Sequence, residues 1–145
     1  MIRASAELTK PQKWLAWFAL VSGALTILTA TVLPAIFGPP LAPIAVSVFF
    51  LFGLGGLIAG YFGLAGRPWA FWLLFATYLI QLADYRSESF FFSFIGPVNL
   101  TFGWGWNDPP SHFRINILAV VVCLLASGSA VGLTSRSTGS PSTPA

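Results

Sequence analysis

The sequence predicts an all-α integral membrane protein, a four-helix transmembrane bundle with helices at about 14–35, 43–65, 68–87 and 114–134. Three observations carry this. Apolar residues make up 56% of the 145-residue chain and charged residues only 8%, where an ordinary soluble domain carries about 25% charged residues to cover its surface. The apolar residues fall in runs long enough for about 20 residues to cross the hydrocarbon. Charged residues sit at the ends of those runs and not in their middles.

The first run, from Trp14, follows the polar and basic segment MIRASAELTKPQK. It is longer than a signal-peptide core and is read as a retained helix. Pro34 and the Gly-Pro-Pro at 38–40 end it. Pro43 suits the first turn of helix two, where a missing N–H costs nothing. The middle of that helix reads GLGGLIAGYFG. Gly53, Gly56, Gly60 and Gly63 form a small-residue face of the kind that lets helices approach closely in lipid. Gly66-Arg67-Pro68 is a short turn into helix three. The apolar part of helix three, Trp69 to Ala83, would rise only about 23 Å as a helix, so the helix is expected to continue to residues 86–88. Helix four ends near Thr134, and the Ser/Thr/Pro/Gly-rich segment 135–145 is expected to be a disordered tail behind a single domain, 1–134.

Arg3, Lys10, Lys13, Arg67 and Arg136 fall on the side of the termini; Arg86 and Arg114 fall on the other. The positive-inside rule then makes the termini cytoplasmic and the long loop external. Small size and a Gly/Ala/Leu-rich composition suggest a bacterial inner membrane. The net charge of +3 comes from cations scattered singly, which form no stripe for a nucleic acid. The single cysteine, Cys123, excludes an internal disulfide and a CxxC redox pair.

The loop holds a further pattern. In VNLTFGWGW, Val98, Leu100, Phe102, Trp104 and Trp106 alternate with Asn99, Thr101, Gly103 and Gly105. Period-2 alternation marks a strand with one greasy face. It is expected to pair with the preceding FFFSFI across Gly96-Pro97, or to follow a short interfacial helix over about 87–95. Asn107-Asp108-Pro109-Pro110 reads as a turn and Ser111 as the N-cap of helix four.

The residues able to carry polar chemistry gather around this loop. Gln81, Asp84, Tyr85 and Glu88 follow helical spacing on one face of helix three, with Arg86 pointing elsewhere. His112, Arg114 and Asn116 begin helix four. Together Gln81, Asp84, Glu88, His112, Arg114 and Asn116 are the candidate ligand-binding cluster at the outer mouth, since ionisable groups at membrane depth are costly and often functional. No metal site, cofactor motif or catalytic triad is legible, and no charge lies at the middle of a helix. The leading expectation is a non-enzymatic structural or accessory subunit packing through its glycine faces, on itself as a homo-oligomer or on a membrane-protein partner in the lipid bilayer. The alternative is a binding protein, carrier or enzyme for a small lipophilic molecule, sited between helices three and four.

Overall fold

A computed structural model describes residues 7–32, 43–89, 91–92, 94, 98–107 and 110–138 of the chain. It is mostly helical: α1 (Lys10–Thr31), α2 (Pro43–Leu64), α3 (Pro68–Ile80) and α4 (Ile117–Thr138). Between α3 and α4 lies a small antiparallel sheet of β1 (Ala83–Arg86), β3 (Thr101–Asn107) and β4 (Pro110–Asn116), with the two residues of β2 (Phe91–Phe92) bridged to the outside of β1. Three helical stretches, Lys10–Thr31, Val46–Leu64 and Ile117–Arg136, are long and apolar enough to cross a membrane.

Each helix end has a local cause. Thr9 caps α1 in an extended conformation, and its N–H donates to Gln12 Oε1 at 2.9 Å, half of a capping box. The helix therefore begins four residues before the expected Trp14. At the end of α2, Gly66 takes φ 70°, the Gly66 N–H donates to Gly63 O and the Arg67 N–H to Phe62 O. This pair of bonds is the Schellman motif, and its left-handed residue is the one only glycine occupies without strain. Pro68 then opens α3.

Burial differs from that of a water-soluble protein, although Phe71, Leu74 and Leu133 are fully buried. Small and polar residues fill much of the interior: Ala16, Ala19, Ala70, Ala119, Ala126 and Ala130, with Gln12, Ser22, Thr26 and Thr77. Large apolar side chains face out, among them Trp14, Val21, Leu25, Leu51, Tyr61, Leu124 and Val131. A surface of this kind suits lipid as solvent, where close packing of small residues holds helices together. The α1–α2 contact is the tightest expression of it. A Cβ added to Gly60 would lie 2.7 Å from Ala16 O and 2.8 Å from Leu20 N, and one on Gly53 would lie 2.8 Å from Gly23 O. Gly56 meets Ala19 O, and Gly63 meets the Ala16 side chain. The glycine face of α2 is thus taken up by α1 of the same chain.

The outer part of the chain departs from the all-α expectation. Helix three stops at Ile80, not near 87, and α4 starts at Ile117, not 114; the residues between are strands. Strand geometry removes the need for a longer helix three. Thirteen helical residues rise about 20 Å, and the four strand residues of β1 add about 13 Å, so the segment reaches the same height without more helix. Ser111 does not cap α4; it lies within β4. The cap is Asn116, whose Oδ1 accepts from the Ala119 N–H at 3.3 Å. The alternating strand forms over Thr101–Asn107, starting three residues later than Val98, and it pairs with β4, from Thr101↔Asn116 to Asn107↔Pro110, and not with FFFSFI. The intervening Asp108 and Pro109 lie outside the described residues, as do Ile95, Gly96 and Pro97. No helix covers Ser87–Ser89, so the interfacial helix is not formed there. The helix α4 continues to Thr138, four residues past its expected end at Thr134; residues 139–145 lie outside the described residues.

Candidate functional site

The register of the sheet decides what meets at its surface. Asp84 lies across from Arg114, and Arg114 across from Gly103. One step up, Arg86 lies across from His112, and His112 across from Gly105. Because side chains alternate along strands, Asp84, Arg86, Thr101, His112 and Arg114 share one face. The opposite face carries the aromatic set. There Trp104 packs on Phe102 at 5.9 Å and on Phe113 at 5.6 Å between ring centroids.

The two glycines on the polar side let the Arg114 and His112 side chains lie down. A Cβ on Gly103 would come 2.5 Å from Arg114 Cγ, and one on Gly105 would come 2.5 Å from His112 Nδ1. The Gly-Trp-Gly-Trp repeat therefore places aromatic rings on one side and bare backbone on the other, with the side chains of β4 laid over that backbone.

The result is an open groove of about 430 Å³ lined by Asp84, Arg86, Thr101, Gly103, Trp104, Gly105, His112 and Arg114. At its floor, Arg114 Nη2 donates to Asp84 Oδ2. Asp84 is 1% exposed and Arg114 52%, so the carboxylate is sealed beneath the guanidinium while the guanidinium still faces the groove. Arg86 and His112 are exposed. Among the described residues, Asp84–Arg114 is the one side-chain ion pair.

The six residues of the expected cluster divide. Asp84, His112 and Arg114 converge on the groove. Gln81 does not; it is buried at the C-cap of α3, with Nε2 donating to Thr77 O at 3.3 Å. Glu88 is exposed beyond β1 and does not line the groove. Asn116 is fully buried as the cap of α4, and its Oδ1 also accepts from the Leu100 N–H at 3.3 Å. The shared helical face of Gln81, Asp84 and Glu88 is thus overturned, because residues 83–86 run at period 2. The same period brings in Arg86, which helical spacing had turned away. The polar site also lies on the sheet, not between helices three and four.

A second polar cluster sits among the helices. Tyr78 Oη donates to Ser22 Oγ at 3.1 Å, and Thr26 and Thr77 bond back to Ser22 O and Leu73 O. Ser22, Thr26, Thr77, Tyr78 and Gln81 surround a void of about 10 Å³, at the lower limit for one water molecule. The Tyr78–Ser22 bond fastens α3 to α1, and the threonines satisfy their hydroxyls within their own helices. The cluster leaves no room for a substrate. Phe94 and Val98 close over this region from the loop, Phe94 meeting Phe52 edge-on at 5.9 Å.

Among the described residues no group of three His, Cys, Asp or Glu side chains is placed to hold a metal. Comparisons with protein-family models, with curated proteins and with solved structures give no match.

Proposed function

We propose that this is a non-enzymatic, multi-pass membrane protein whose four helices form a bundle in the bilayer, with the termini cytoplasmic and the sheet at the outer surface. The observation that supports this most strongly is the burial pattern: an interior in which alanines and back-bonded hydroxyls pack around a few large residues such as Phe71 and Leu74, and an exterior of Trp, Leu and Val. The short α3 is continued to the outer surface by β1. The distribution of cations favours the orientation, with Lys10, Lys13, Arg67 and Arg136 at the end away from the sheet. A bacterial inner membrane fits the composition.

The role that suits this build is that of an accessory protein presenting the sheet to the outside. The glycine face of α2 is occupied by α1, which moves the partner-facing surface away from Gly53, Gly56, Gly60 and Gly63. A non-enzymatic role is favoured by the groove itself. Its carboxylate is held by a guanidinium and sealed from solvent, which suits fastening two strands better than proton transfer. The second reading, a binding protein, is favoured by the convergence of Asp84, Arg86, His112 and Arg114 on one groove.

Cysteine accessibility in intact cells tests the placement. In a Cys123→Ser background, Asn107→Cys is expected to react with a membrane-impermeant maleimide, while Ser5→Cys and Ser140→Cys react only after permeabilisation. The reverse pattern, or reaction at all positions in intact cells, would overturn the orientation.

A further inference from the structure

The polar face of the sheet pairs its charges unevenly. Asp84 and Arg114 are directly opposed and joined. Arg86 and His112 are directly opposed as well, yet both are donors, and both are cationic when the imidazole is protonated. Like groups directly across a sheet repel. Among the described residues neither Arg86 nor His112 forms an ion pair with a carboxylate. The groove thus holds two guanidinium groups against one carboxylate, and that carboxylate is already engaged.

We propose that this groove binds a phosphate ester, with the phosphate between Arg86 and His112 and against the outward N–H groups of Arg114. Three properties fix the ligand class. The donors come from separate side chains on two strands and surround a space, which suits the several oxygens of a tetrahedral anion; a planar carboxylate is satisfied by a single guanidinium fork. A groove of about 430 Å³ is much larger than a bare anion and leaves room for the esterified group. Gly103 and Gly105 give that group a floor free of side chains of their own.

The depth fits a ligand at the membrane surface. Arg114 stands two residues beyond the Asn116 cap of α4 and His112 four residues beyond, about 7 and 13 Å at strand rise. With α4 spanning the hydrocarbon, that is the level of the headgroups and just above them. The source of the phosphate, a lipid headgroup or a free phosphate ester, therefore depends on the membrane placement proposed above; the donor chemistry of the groove does not.

Titration calorimetry on the full chain in an uncharged maltoside detergent tests this with two probes, glycerol 3-phosphate and dihexanoyl phosphatidylglycerol. Arg86→Gln and His112→Gln are the test variants; both replaced side chains are exposed, so unchanged thermal melting is expected. Arg67→Gln, in the turn at the far end of α3, is the control for overall charge. Losing one charge-assisted contact to the phosphate is expected to weaken binding by about tenfold or more, with the control unchanged. Binding of both probes with that loss assigns a phosphate ester in general. Binding of the lipid alone with that loss assigns a headgroup. No binding of either probe, binding unaffected by both groove variants, or an equal loss in Arg67→Gln would overturn the proposal. The cysteine-accessibility pattern reads the membrane orientation separately, so failure of one is distinguishable from failure of the other.

Discussion

Asp84 and Arg114 face each other across β1 and β4, bonded through Oδ2 and Nη2, yet they are not equal partners. Asp84 is 1% exposed while Arg114 is 52% exposed. Removing the guanidinium leaves a buried carboxylate without its countercharge, a change that costs about 3–5 kcal/mol. Neutralising the acid leaves a cation that still reaches water. Arg114→Gln is therefore expected to destabilise the protein well beyond Asp84→Asn, which should cost about 1 kcal/mol. Thermal unfolding in detergent, followed by tryptophan fluorescence, gives the comparison; equal losses would mean that the acid is not sealed.

Glycines of the same motif type differ sharply in what surrounds them. A methyl group on Gly60 would press on the backbone of α1 at Ala16 and Leu20, whereas Gly128 and Gly132 have nothing within 4 Å of an added Cβ. Gly60→Ala is expected to cost about 1–3 kcal/mol through overpacking. Gly128→Ala should be neutral or slightly stabilising, since alanine is the better helix former. The same unfolding assay ranks them.

The two sheet glycines should also separate. At Gly103 an added Cβ meets Phe113 O, a backbone atom, as well as Arg114 Cγ, while at Gly105 its nearest neighbour is the His112 ring. Backbone cannot step aside and an exposed imidazole can. Gly103→Ala is expected to lower stability and disturb the Asp84–Arg114 pair, and Gly105→Ala to leave stability nearly unchanged while shifting the His112 ring resonances in a proton–nitrogen NMR spectrum.

Asn116 joins sheet to helix. Its Oδ1 accepts from both the Leu100 and Ala119 N–H groups. Asn116→Ala is expected to cost about 1–2 kcal/mol, the range for losing an N-cap, and Asn116→Asp to retain most of the stability. Hydrogen exchange localises the effect: the first turn of α4 should lose protection in the alanine variant and keep it in the aspartate variant.

The helices were legible because lipid imposes a simple rule, long apolar runs ended by Pro, Gly or charge. The close packing of α2 was legible for a related reason, since only small residues permit it. The strand β3 was legible from its alternation. Its partner was not found, although PSHFRIN alternates as well, polar His112, Arg114 and Asn116 against apolar Phe113 and Ile115. That signal was masked by the apolar run of α4 that follows directly. Around Asp84 the pattern was ambiguous: Gln81, Asp84 and Glu88 satisfy helical spacing, while Asp84 and Arg86 satisfy strand spacing. Only the pairing of β1 with β4 decides between them, and pairing over 30 residues is not a local property. Of the six residues of the expected cluster, Asp84, His112 and Arg114 line the groove, and Arg86, which helical spacing turns away, lines it as well.

Arg86 and His112 stand side by side on one sheet, across β1 and β4. Directly opposed strand residues have Cβ atoms about 4.5–5.5 Å apart, close to disulfide geometry. In a Cys123→Ser background, mild oxidation of the Arg86→Cys, His112→Cys double variant in membranes should give an intramolecular disulfide in most molecules, read by mass after alkylation. A continuous helix through residue 86 would turn that position away from His112, and failure to cross-link alongside efficient cross-linking of the Asp84→Cys, Arg114→Cys pair would contradict the sheet.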